Sequence, residues 1–296
     1  MAIRVAKIDD VGSMVDVATA SRFAHQAWEP ELWALSGADH SLQSVVLGSH
    51  LADDGSFTLV SAPVASTELD GWIRAFSCSS TTWVVEDFAV STAAAWRQAG
   101  RGLLVAMAAR ARVAGSMRLL VPCPRADVPR ASMLQEAGLV QIVSVRHRMV
   151  GPRPAEPPAG VRAYDGADTD DAARLTTGLD PIAECLGASG GTAMPAEGLV
   201  VDDGHGVIAV AALRAARRLA VTRAGARFGV VEPFALAHGA AWSDVGDRMM
   251  AGIEWLAAGR SEEHLLVPCA VDDVAKGRLL DELSFGWPLD VWSLTW

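Results

Sequence analysis

The 296-residue chain is predicted to be an α/β (α+β) protein of two tandem domains, each a mixed central sheet flanked by helices. Three observations predict it. Leu119-Leu120-Val121-Pro122-Cys123 recurs as Leu265-Leu266-Val267-Pro268-Cys269, a shift of 146 residues. The same shift maps Val85-Glu86-Asp87-Phe88-Ala89 onto Val231-Glu232-Pro233-Phe234-Ala235, Trp96 onto Trp242 and Gly100 onto Gly246, with 19 identities in 66 positions between 85–150 and 231–296. A repeat that long is a duplicated domain, since solenoid units run to about 20–50 residues. Short apolar runs alternate with segments of helical spacing in both halves, the pattern of a sheet covered by helices.

Taken in order, Ile3 to Ala6 reads as a short strand, and Asp9-Asp10 opens a helix with Val11, Met14, Val15 and Ala18 on one face. A Trp- and acid-bearing region follows, with Trp28, Glu29, Glu31 and Trp33. Phe57 to Val60 and Gly71 to Phe76 are paired strands, and Thr82 to Val90 is a third. Gly102 to Ala114 is a helix, Leu119 to Cys123 a strand, Arg130 to Ala137 a short helix and Gln141 to Val150 the closing strand. Residues 151–159 are a Pro-rich connector unsuited to a sheet, which divides the chain into domains 1–150 and 160–296. The second half repeats the order, with strands near 198–203, 206–213, 228–236 and 265–269.

Composition bounds the function. A net charge of −10 opposes a nucleic-acid partner, which needs clustered positive charge. No apolar run reaches the roughly 18 residues of a membrane span, and the start lacks a signal-peptide pattern, so a cytoplasmic protein is expected. Cys78, Cys123, Cys185 and Cys269 have no metal-type spacing, nor do the seven histidines, and no metal is implied. Cys123 and Cys269, matched in the repeat, read as buried thiols.

One motif carries chemistry. Arg97-Gln98-Ala99-Gly100-Arg101-Gly102 stands where a strand gives way to an amphipathic helix. The first amides of a helix lack internal acceptors, and the helix dipole adds partial positive charge. Glycines permit close approach of a phosphate, and Arg97 and Arg101 add charged donors. The second copy reads Ser243-Asp244-Val245-Gly246-Asp247-Arg248, which puts carboxylates where an anion would sit.

This order of elements, with R-x-x-G-x-G between the fourth strand and the next helix, resembles the GNAT superfamily of N-acetyltransferases across nearly the whole chain, twice. The resemblance implies that acetyl-CoA is the cosubstrate. Amides of Ala99, Gly100, Arg101, Gly102 and Leu103, with Arg97, would hold its pyrophosphate, and the backbone of Phe88, Ala89 and Val90 would pair with the pantetheine arm. The degenerate second copy would pair with the first within one chain.

Strand alternation puts Glu86 with Val84, Phe88 and Val90, and Asp87 on the opposite face. In the resembling family a strand Glu takes the amine proton, which makes Glu86 the first candidate base and Asp87 the second. The family's usual acid, a Tyr on the late helix, falls on Leu134, leaving Ser132, Cys123 or a water as substitutes. Asp127 stands where the family commonly has a CoA-contacting Asn. Trp28, Glu29 and Trp72 are candidate substrate-binding residues, since aromatic faces and carboxylates suit a cationic amine. The expected function is acetyl-CoA-dependent N-acetyl transfer to a small-molecule or peptide amine. The rival is a noncatalytic acyl-CoA-binding or protein-interaction module on the same fold.

Overall fold

Runs rich in Val, Ile, Phe and Trp, bounded by Gly, Asp and Ser, form strands; the Ala-, Leu-, Met- and Arg-rich runs between them form helices. The computed structural model describes residues 1–30, 44–45, 47–49, 51–52, 55–63, 66, 68–177, 182, 186, 198–216 and 226–296. Glu31, Trp33 and Cys185 lie outside them.

The chain forms two compact units. The first comprises Met1–Ile142 together with Pro288–Trp296. Its strands are β1 (Ala2–Val5), β2 (Ser56–Ala62), β3 (Gly71–Ser77), β4 (Thr82–Val90) and β5 (Arg118–Pro124), with β12 (Gly286–Thr295) beside β5. Neighbours are antiparallel except β4 and β5, which run parallel. Helix α1 (Val11–Trp28) covers one face through Met14, Val15, Val17 and Ala18, against Val60, Trp72 and Ala89. Helices α2 (Ala99–Val113) and α3 (Val128–Glu136) cover the other. There Leu103, Leu104, Met107, Met133 and Leu134 pack on Ile73, Val85, Phe88, Val90, Leu119 and Val121.

The second unit runs from Val143 to Trp287. Its strand order is β6 (Val140–Met149), β11 (His264–Ala270), β10 (Phe228–Leu236), β9 (Val207–Ala215), β8 (Gly198–Asp202), β7 (Arg162–Ala163). Again one pair, β10 with β11, is parallel. Helices α5 (Asp247–Gly259) and α6 (Val274–Glu282) pack on one face, and α4 (Thr169–Thr176) on the other. The sequence cut at 151–159 separates the two copies of the repeat. The compact units differ from it by an exchange: the last strand of copy one is built into the second unit, and that of copy two into the first.

The helix ends show how the copies have drifted. In copy one, α2 and α3 end in left-handed glycines, Gly115 (φ 85°) and Gly138 (φ 87°). In each, the next residue's amide reaches back to close the cap, Ser116 N–H to Ala111 O and Leu139 N–H to Leu134 O. The second unit closes the same caps with serines in the left-handed region, Ser261 (φ 57°) and Ser284 (φ 61°). A Cβ in that conformation costs about 1 kcal/mol. Ser284→Gly is therefore expected to stabilise the protein by about 0.5–1 kcal/mol. A chemical-denaturation midpoint equal to or below that of the parent would contradict it.

Candidate active site

In the first unit, the parallel pairing of β4 with β5 stops early. Thr82, Trp83 and Val84 pair with Arg118, Leu119 and Leu120; beyond them β4 runs to Val90 and β5 to Pro124 without pairing. The two strands diverge and leave a wedge whose walls are backbone. Beside it, β4 carries a bulge: Arg74 of β3 sits opposite Asp87, but Ala75 sits opposite Val85, so Glu86 is the extra residue.

The bulge corrects the face assignment made from alternation. Phe88 and Val90 share a face with Val85, in the cluster under α2, while Ala89 joins the cluster under α1. Glu86 is ion-paired to Arg74, and Asp87 lies in register with the same arginine. Both carboxylates therefore stand on the Arg74 side, not on opposite faces. Pro233, the repeat equivalent of Asp87, was the available sequence signal, because a proline inside a strand marks an edge or a bulge. The second unit has the same irregularity, between Val231 and Phe234.

Charged groups gather at this point. Arg74 is 3% and His25 7% exposed. Arg22 lies one turn before His25 on α1, and its buried Nη1 has no partner among the described residues. Burial pushes the Asp87 carboxyl above the usual range, and the opposing pull of Arg22, Arg74 and Arg130 does not overcome it. His25 is pushed down to about 3, first by burial and then by Arg130 and Arg22, so it is neutral at pH 7.

Arg130 is the residue at the wedge. Asp127 caps α3 by accepting from the Arg130 amide at 3.2 Å, and this cap aims the Arg130 side chain back at the strands. Its guanidinium donates to Phe88 O on β4 (3.2 Å) and to Pro122 O on β5. It also lies 5.2 Å from the Phe88 and Trp96 ring centroids. The second unit repeats the cap and the contact to the first strand. Asp273 caps α6 by accepting from the Lys276 amide at 3.1 Å, and Lys276 Nζ donates to Phe234 O at 3.3 Å. The Arg130/Lys276 match in the repeat could have flagged the position; sequence reading passed over it, as it did Arg22 and His25.

The R-x-x-G-x-G motif, Arg97 to Gly102, lies at the start of α2. A 3₁₀ turn, Ala93–Arg97, leads into it, and the first α-helical bond runs from Gly102 N–H to Gln98 O at 3.0 Å. The amides of Ala99, Gly100 and Arg101 precede that bond and have no intrahelical acceptor. Arg97 and Arg101 are exposed beside them; Ala99 and Leu103 turn their side chains into the core. The glycines have a packing reason. A Cβ on Gly100 would lie 2.6 Å from Trp96 Cε3, and one on Gly102 2.9 Å from Ile3 Cδ1. Gly246 repeats the first case, 2.7 Å from Trp242 Cε3. The glycine shared by both copies thus admits a tryptophan.

The second unit departs at this helix start. A π-helical turn, Trp242–Gly246, precedes α5, and the Asp244 carboxylate pairs with Arg248 at 3.3 Å.

The remaining candidates fall apart by location. Trp72 is 1% exposed and its Nε1 donates to Met14 O at 3.0 Å; it is a core residue joining β3 to α1. Trp28 is 39% exposed at the end of α1, 5.4 Å from the His25 ring, and Glu29 is the capping residue after it. Leu134 is fully buried, so the late helix offers no acid there. Burial pushes the Cys123 thiol up to about 12, which makes it a poor proton donor to a thiolate. Cys123 and Cys269 are buried free thiols. Among the described residues no helix is long and apolar enough to cross a membrane.

No protein-family model matches the sequence, and no curated protein matches it. Solved structures do. A GCN5-related N-acetyltransferase from Sphaerobacter thermophilus is similar over 99% of this chain and 95% of that one, at 13% identity and a TM-score of 0.61. A tandem GNAT protein from the clavulanic acid biosynthesis pathway covers 99% of this chain and 98% of its own, at 13% identity and a TM-score of 0.54. A further acetyltransferase-like structure, from Pyrococcus horikoshii, covers 100% and 89%, also at 13% identity and 0.54.

Proposed function

We propose, from the premise that the chain has the tandem GNAT fold, that it is an acetyl-CoA-dependent N-acetyltransferase whose cosubstrate binds in the first unit. One observation carries the reading. The first unit alone combines a strand wedge with a helix start whose amides are flanked by exposed Arg97 and Arg101. In the second, Asp244 and Asp247 occupy the helix start, and like-charge repulsion opposes a pyrophosphate there.

The wedge gives an extended amide-bearing arm two strand edges with which to pair, as another strand would. In a strand, the N–H and C=O of one residue point the same way, so the Phe88 N–H faces the wedge beside its carbonyl. The thioester supplies an activated acyl group. An amine attacks its carbonyl carbon, the C–S bond breaks, sulfur leaves as a thiolate, the amine proton passes to a base, and the thiolate is then protonated from solvent. Asp87 suits that role better than Glu86. Its raised affinity for a proton brings it nearer the operating pH, whereas Glu86 is engaged by Arg74. Arg130 supplies positive charge at the wedge, where thiolate charge develops. The acceptor is a small-molecule or peptide amine.

Calorimetric titration with acetyl-CoA tests the reading. One site per chain is expected, weakened at least about tenfold in Arg101→Glu, which reverses a charge-assisted contact without disturbing packing. Gly100→Asp is the poorer test because its side chain collides with Trp96. Two equivalent sites, or none at millimolar ligand, would overturn the assignment.

A further inference from the structure

The charged cluster beneath α1 holds buried guanidinium nitrogens with no partner among the described residues. Around the β4 bulge stand three guanidiniums, Arg22, Arg74 and Arg130, with the carboxylates of Glu86 and Asp87, and Asp127 lies beside Arg130, its carboxylate accepting from the Arg130 amide. Glu86 is taken by Arg74. Asp87 resists ionisation through burial, so it is a weak counterion, and His25 contributes no charge. Arg130, 5% exposed, spends two donors on backbone carbonyls, which supply dipoles but no charge; its Nε has no partner among the described residues. Arg22 Nη1 is likewise buried without one. Buried guanidinium without a counter-charge is costly, and a bound anion relieves it.

We propose that this cluster binds a carboxylate carried by a ligand of the transfer reaction, with Arg22 as its direct hydrogen-bonding partner and Arg130 adding positive potential. The inference rests on the reading of the first unit as the transferase site. Arg22 projects from the same face of α1 as Met14, Ala18 and His25, a stripe at helical spacing that runs along β3 and β4 toward the bulge. A planar guanidinium can donate two parallel hydrogen bonds to a carboxylate. The carboxylate has two chemical sources. An amino-acid acceptor carries one beside its amine, and places the amine near Asp87 when the carboxylate meets Arg22. A dicarboxylic acyl group, as in succinyl-CoA, carries one at its far end.

The experiment is calorimetry on the full chain, with acetyl-CoA present, titrating the common L-amino acids and their carboxamides; succinyl-CoA is compared with acetyl-CoA in separate titrations. The expected result is a preference of at least about tenfold for a carboxylate-bearing member in one arm. Arg22→Gln should abolish the preference, and Arg22→Lys should restore part of it, each variant checked for an unchanged melting temperature. An acid preferred over its amide identifies the acceptor as the source; succinyl-CoA preferred over acetyl-CoA identifies the acyl group. Equal binding of acid and amide together with equal binding of the two thioesters overturns the inference. So does a preference that survives Arg22→Gln, or no binding of any carboxylate probe. Acetyl-CoA that binds without any carboxylate preference sinks this inference alone. If acetyl-CoA fails to bind, the transferase reading fails first, and the acids titrated without it still decide whether Arg22 holds a carboxylate.

Discussion

Deleting Pro288–Trp296 will destroy the fold of the first unit, although every residue removed lies more than 130 positions beyond Ile142, where that unit's long N-terminal stretch ends. The deleted segment is the strand that pairs β5 over seven consecutive positions, from Leu289 opposite Pro124 to Thr295 opposite Arg118. Leu289 and Val291 are buried, and Trp292, Leu294 and Trp296 pack against the core cluster under α2 and α3. Arg118 Nε donates to Ser293 Oγ at 2.9 Å and Gln141 Nε2 to Asp290 Oδ1 at 2.8 Å. At about 1.5–3 kcal/mol for each large apolar side chain buried, the loss approaches the whole stability of an ordinary domain, about 5–15 kcal/mol. Circular dichroism and limited proteolysis of the truncated chain should show the first unit melted and cleaved between Met1 and Ile142. A point variant gives the milder version: Val291→Asp puts an unpaired charge at a fully buried position and should lower the melting temperature sharply. A truncated chain that melts with the full-length protein would refute the exchange of last strands.

That exchange was not legible in the sequence, for a physical reason. The partner strands of the two closing segments are near copies, Leu119 to Cys123 and Leu265 to Cys269. They offer the same edge, so nothing in the residues of β6 or β12 selects one over the other. What did show was local. Thr82 to Val90 forms the strand read from its composition, residue for residue, and the α2 and α3 stripes face the core at their apolar spacing. The bulge on β4 escaped because alternation assumes no inserted residue, and one inserted residue moves Glu86 and Phe88 to different faces. Trp72 was misjudged for a related reason. A large amphipathic side chain reads alike as cleft or core, and only the Met14 carbonyl, 58 positions earlier in the chain, satisfies its indole. Arg22, on α1, and Arg130, on α3, come from segments far apart in sequence, and their meaning appears only where the fold brings both to the Asp87 carboxylate.

Replacing Asp87 with Asn will separate function from stability, and in opposite directions. Burial raises the Asp87 carboxyl above its unfolded value, so the folded protein holds that proton more tightly than the unfolded chain. The sign follows from linkage. The group's contribution to stability is present at pH below the unfolded value near 4, and is lost as pH rises toward the raised folded value. As pH rises, ionising the Asp87 carboxyl costs stability even with three arginines near it, and the isosteric amide removes that cost. Asp87→Asn should therefore melt a few degrees higher than wild type at pH 7 to 8, with the two converging near pH 3. Acetyl transfer should fall about 10²–10⁴-fold, the usual contribution of a positioned base, while acetyl-CoA affinity stays within about twofold. Glu86→Gln provides the contrast. It leaves Arg74 buried without its ion-pair partner, so it should lower the melting temperature at neutral pH. If Asp87→Asn keeps full activity, the base lies elsewhere in the cluster, and a transferase reading centred on the bulge would need Glu86 in that role. If it loses both activity and stability, Asp87 is a structural counterion of the arginines. In that case the cluster balances its own charge, and the site for a ligand carboxylate beside Arg22 closes with it.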